Sequence, residues 1–128
     1  MQLLMIAAVV LAAGIFGFAF KATTNVKHVV VFKYKPSATP GQIEEVTTAF
    51  KALKGKIPGV VSFEYGINNS PENLNKGFTH VYLLTFTDAA ARDAYLPHAE
   101  HKKFGELLGK LGVLEEPFVV DFEVQQVK

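Results

Sequence analysis

Phe78-Thr79-His80-Val81-Tyr82-Leu83-Leu84-Thr85-Phe86-Thr87 carries two kinds of surface along one extended run. Successive side chains of a strand point to opposite faces, so Phe78, His80, Tyr82, Leu84 and Phe86 form a large aromatic face. Thr79, Val81, Leu83, Thr85 and Thr87 form a smaller one. Neither is polar enough to stay fully in water, so the run reads as a central strand covered at least partly on both sides.

Working outward, Asn68 to Gly77 is rich in Asn, Pro, Ser and Gly and reads as a surface loop. Before it, Val60 to Ile67 alternates, with Val61, Phe63, Tyr65 and Ile67 opposed by Ser62 and Glu64, the pattern of a second strand. Thr39-Pro40-Gly41-Gln42 matches a capping box with Pro at the first helical position. The helix it starts carries one apolar stripe, Ile43, Val46, Phe50 and Leu53, and stops at Gly55 and Pro58. Val26 to Tyr34 alternates again and places His28 among apolar neighbours. On the other side, Asp88 is an N-cap for a short helix through Tyr95. Pro97 favours a break and the first turn of another helix carrying His101, Phe104, Leu108 and Leu111. Gly112 ends that helix, and Phe118 to Val124 reads as the last strand.

The order β-α-β-β-α-β predicts an α+β, ferredoxin-like sandwich over residues 25–128, four antiparallel strands with helices on one face. Val29, Val31, Val81 and Leu83 then put apolar side chains on the face that helices cannot reach. A second copy packing sheet to sheet covers them, so a homodimer through the sheet face, a dimeric α/β barrel, is expected.

Leu3 to Phe20 is an uncharged run of 18 residues ended by Lys21, too uniformly apolar for an amphipathic core helix. Residues 1–24 are therefore expected to be an N-terminal hydrophobic helix, either a signal peptide or a membrane anchor. They make the protein exported, periplasmic or extracellular, or membrane-anchored, with membrane contact only through residues 3–20 if uncleaved. With 13 basic and 12 acidic residues giving a net charge of +1, nothing favours a nucleic-acid partner. The chain has no cysteine, which excludes disulfides and a thiol nucleophile.

Val26-Lys27-His28-Val29-Val30-Val31-Phe32-Lys33-Tyr34-Lys35, Gly77-Phe78-Thr79-His80-Val81, and Tyr95 with His98, His101 and Phe104 resemble the stress-responsive dimeric α/β barrel (Dabb) domain family. The resemblance spans about Val26 to Val124. It implies the dimeric barrel fold more firmly than any chemistry, because most members have no assigned reaction and one plant member is a polyketide cyclase. Carried over by position, that cyclase's tyrosine and histidine correspond to Tyr95 and His101, and its first-strand histidine to His28. In such a reaction a neutral imidazole removes a proton beside a carbonyl while a phenol hydrogen-bonds the developing oxyanion. Val46, Thr47, Phe50 and Tyr82 depart from the cyclase, as does Pro97 before His98, so a pocket of different shape and a different substrate are expected.

The candidate site is therefore a pocket between sheet and helices with Tyr95, His101 and His28 as catalytic candidates. Val30, Phe32, Phe50, His80, Tyr82, His98 and Phe104 would bind the ligand. Asp121 is a candidate for orienting the imidazole of His101. His101 shares its helical stripe with Phe104 and Leu108 and reads equally as a core histidine satisfied by a carbonyl or Asp121, and His28 and His80, which share sheet faces with aromatics, read more readily as core histidines bonded to each other or to a water. His98-x-x-His101 without a fixed third ligand is too little for a metal, and no cofactor is expected. Three functions compete: binding of a small hydrophobic or carbonyl ligand, polyketide-cyclase-like lyase chemistry through Tyr95 and His101, and a non-catalytic dimeric stress-response module. A deep cavity at Tyr95, His101 and His28 favours the first two; a space filled by Phe50, Tyr82 and Phe104 favours the third.

Overall fold

Val26–Tyr34 forms β1, and its alternation buries Val26, His28, Val30 and Phe32 on one face. In the computed structural model, which describes residues 23–128 together with Gly14 and Gly17, β1 lies inside a four-stranded antiparallel sheet. The signal peptide or anchor expected over residues 1–24 falls almost wholly outside those residues. Among the described residues no helix is long and apolar enough to cross a membrane.

The remaining strands are β2 (Val60–Ile67), β3 (His80–Phe86) and β4 (Leu114–Glu123), in the spatial order β2-β3-β1-β4. Among the described residues three helices, α1 (Pro40–Lys56), α2 (Ala89–Tyr95) and α3 (Ala99–Leu111), complete the ferredoxin-like fold. The capping box at α1 is formed on both sides: Gln42 N–H donates to Thr39 Oγ1 at 3.2 Å and Thr39 N–H donates to Gln42 Oε1 at 3.0 Å. Asp88 caps α2 by accepting from Ala91 N–H at 2.8 Å, and Gly112 ends α3 in the left-handed conformation that favours glycine. Val46, Phe50 and Leu53 of α1 are buried with Phe32, Tyr82 and Leu84 of the sheet. Each such side chain removed from water stabilises the fold by roughly 1.5–3 kcal/mol.

Four local expectations change. A bulge between Val60 and Ser62 turns Val60 into the core and leaves Val61 46% exposed, because the extra residue shifts the alternation. Phe78 is not part of β3. Lys76 and Gly77 both have positive φ, and the turn they make sends the Phe78 ring to Phe118 on the helix-free face, 6.0 Å between centroids. α3 starts at Ala99 with His98 as N-cap, so Pro97 stands before the helix rather than in its first turn. β4 begins at Leu114, four residues earlier than expected, because it follows β1 to Tyr34.

The helix-free face carries Val29, Val31, Val81 and Leu83, all partly exposed. Cross-strand register adds Phe118, Val120 and Phe122 of β4, which are 52%, 43% and 50% exposed. Seven apolar side chains thus share one continuous uncovered surface.

Candidate functional site at the elbow between the second and third helices

β1 and β4 pair so that His28 stands opposite Asp121 on the helix-covered face. The sequence offered Asp121 to His101. The structure gives it to His28 instead, whose Nδ1 lies 2.5 Å from Asp121 Oδ1. A carboxylate only accepts, so His28 Nδ1 carries the proton and donates. Arg92 of α2 takes the other oxygen, donating from Nη1 to Asp121 Oδ2 at 2.8 Å, and donates from Nε to Asp93 at 2.7 Å. These two carboxylates hold the Arg92 guanidinium above its ordinary pKa. Sequence reasoning missed Arg92. Its signal was its place three residues before Tyr95, the spacing that puts two side chains on one side of a helix.

Tyr95 ends α2 and is fully buried, with its ring 4.9 Å from Phe86, 5.8 Å from His28 and 4.5 Å from His101. Among the described residues its hydroxyl is the buried side-chain polar atom that finds no hydrogen-bond partner. Burial first, and the charge of Asp121 second, push the phenol pKa far up, so it stays a neutral donor. His101 sits in the first turn of α3, and its Nδ1 is 2.8 Å from the carbonyl of Leu96. A carbonyl only accepts, so this nitrogen carries the proton and the neutral ring keeps its lone pair on Nε2.

The other sequence-predicted residues do not join this cluster. Register puts His28 opposite Leu84 and Phe32 opposite His80, so the two histidines lie at opposite ends of the sheet, about 13 Å apart along β1. They do not bond each other. His80 Nδ1 pairs with Thr79 Oγ1 at 2.8 Å, and burial lowers its pKa below the ordinary imidazole value. Between the two ends the space is filled. Phe50 stacks on Phe104 at 4.5 Å and approaches Tyr82 at 5.1 Å and Phe32 at 6.1 Å, and Val30 is buried beside them. His98 serves as the N-cap of α3, its Nδ1 accepting from Glu100 N–H at 3.1 Å. Among the described residues no three His, Asp or Glu side chains gather to hold a metal ion.

The profile of the Stress responsive A/B Barrel Domain matches residues 26–124. The chain is 32% identical over 107 residues to the stress-response A/B barrel domain-containing protein HS1 of Arabidopsis thaliana, covering 84% of this chain and 96% of that one. It is 30% identical over 82 residues to olivetolic acid cyclase of Cannabis sativa, covering 64% and 81%. The crystal structure of a dimeric ferredoxin-like protein from Jannaschia sp. CCS1 superposes with a TM-score of 0.66 at 29% identity, covering 78% of this chain and 99% of that one. The order of strands and helices, the matched span and these relatives agree: the chain belongs to the stress-responsive A/B barrel domain family.

Proposed function

We propose that the protein binds a small carbonyl compound at the elbow between α2 and α3, with the ligand oxygen accepting from Tyr95 Oη. One observation carries this reading: a fully buried phenol hydroxyl without a partner among the described residues, beside two imidazoles whose Nδ1 atoms are already committed. A buried donor left unpaired costs roughly 1–3 kcal/mol, and a ligand oxygen would recover it. Phe32, Phe50, Phe104 and Tyr82 fill the space beyond this hydroxyl.

The finer form is catalytic. The lone pair on His101 Nε2 takes a proton from the carbon next to the carbonyl, the C–H electron pair becomes the carbon–carbon double bond as the carbonyl π pair moves onto oxygen, and Tyr95 hydrogen-bonds the resulting enolate. A non-catalytic dimeric module is the second reading, favoured by the filled interior. Self-association through the helix-free face is part of the proposal and is supported by the dimeric Jannaschia protein. Export or membrane anchoring through residues 1–24 is likewise proposed, on the uncharged run Leu3 to Phe20.

Acetophenone in deuterated water tests both forms by NMR. Binding predicts saturable shifts at Tyr95 and His101 that Tyr95→Phe abolishes. Catalysis predicts deuterium uptake at the ketone methyl, falling about 100-fold in His101→Ala. Binding without exchange supports the non-catalytic reading, and no saturable shift overturns the site.

A further inference from the structure

A cleft of about 440 Å³ opens between α1 and the β2–β3 end of the sheet, lined by Ile43, Glu44, Thr47, Tyr65, Ile67 and His80. It lies at the opposite end from Tyr95, with Phe32, Phe50, Phe104 and Tyr82 packed between the two. Its volume suits a small molecule, and its walls are mostly apolar with a few polar groups on one side. The Tyr65 ring is 59% exposed and nearly parallel to Tyr82, at 19°, and Ile67 is 67% exposed. Both belong to the helix-covered face, so a partner sheet on the other face would leave them open.

The polar side of the cleft has a defined surplus. Tyr34 Oη and Tyr82 Oη are 3.0 Å apart, and Tyr82 Oη and Thr47 Oγ1 are 2.8 Å apart. Three hydroxyls make two hydrogen bonds, so one O–H is left over; with Tyr34 donating to Tyr82 and Tyr82 to Thr47 it is the Thr47 O–H, and Thr47 lines the cleft. His80 lines it too, with Nδ1 engaged by Thr79 Oγ1, so Nε2 is the ring nitrogen without a partner among the described residues. The Thr79 hydroxyl accepts or donates, which leaves both neutral tautomers of His80 open. A ligand hydroxyl, which also does both, satisfies Thr47 and His80 in either arrangement. Glu44 at the rim disfavours an anion. A planar ring matches the exposed face of Tyr65.

We propose that this cleft is a second, separate binding site for an uncharged ring compound bearing one hydroxyl, of the size of a substituted phenol. It stands independently of the Tyr95 reading, since no residue is shared.

NMR titration of the full chain with para-ethylphenol, ethylbenzene and para-ethylbenzoate tests it. Para-ethylphenol is expected to give saturable shifts at Ile43, Thr47, Ile67 and His80 and none at Tyr95 or His101. Ethylbenzene, lacking the hydroxyl, should bind about fivefold more weakly, and the anionic para-ethylbenzoate more weakly still. Ile67→Lys changes an exposed residue, so the fold is retained, and should weaken para-ethylphenol about tenfold. Thr47→Val should remove the preference for para-ethylphenol over ethylbenzene. Absent saturation, shifts centred on Tyr95, or equal binding by Ile67→Lys would each overturn the proposal.

Discussion

Tyr95→Phe tests the central observation through the sign of its effect on stability. Tyr95 is fully buried, and its hydroxyl has no hydrogen-bond partner among the described residues. Removing a buried, unpaired hydroxyl relieves a desolvation penalty of roughly 1–3 kcal/mol and leaves a void smaller than a methylene. Net, Tyr95→Phe should stabilise the protein by about 1 kcal/mol, raising Tm by roughly 4 °C, while abolishing ligand binding. Tyr82→Phe is the matched control. That hydroxyl is equally buried but holds both Tyr34 and Thr47, so its loss should cost about 1–3 kcal/mol. Urea unfolding of the full chain, at one fixed protein concentration because a dimer's stability depends on it, measures both. A Tyr95→Phe variant destabilised as much as Tyr82→Phe would refute the reasoning, for it would mean that the Tyr95 hydroxyl is satisfied in the native state.

Three further outcomes follow from the same geometry. Asp121→Asn should cost about 1–3 kcal/mol, because both His28 and Arg92 lose a charged acceptor at 2.5 and 2.8 Å; unfolding that matches the wild type would sink the network. His80, with its folded pKa below the ordinary value, binds fewer protons folded than unfolded. Its contribution to stability is full above pH 6.5 and declines as pH falls from there through the folded pKa, so the stability gap between wild type and His80→Gln should shrink from pH 7.5 to pH 5. A gap that widens on acidification would contradict the assignment. Leu83→Asp places a charge in the middle of the uncovered apolar face, and light scattering should show a dimer becoming a monomer with the helical signal intact. A wild-type monomer would exclude the dimer outright.

Helix boundaries were legible because they rest on local chemistry. Thr39 with Gln42, Asp88, and Gly112 act within one turn of chain, and each caps the helix where its spacing predicts. The alternation of β1 and β3 identified the central strands for a related reason, since side-chain direction is a property of the strand itself. Val61 and Phe78 were misplaced where a single irregularity, a bulge or a pair of positive φ angles, reversed that direction.

The candidate site divides in the same way. That Tyr95 and His101 would meet could be read from one short stretch, because a helix end, a break and a helix start hold them within six residues. Which residue Asp121 holds could not, because its phase on an edge strand is set only by pairing with β1, 93 residues away. Nor did the aromatic content show that Phe50, Tyr82 and Phe104 fill the space between sheet and helices, leaving a cleft at one end and an unpaired phenol at the other. The sequence by itself determined the order of the elements and the capped ends at Thr39, Asp88 and Gly112, since propensity, capping and alternation act between neighbours. Tertiary structure alone decided which side chains share a space, since packing joins residues that the chain keeps far apart.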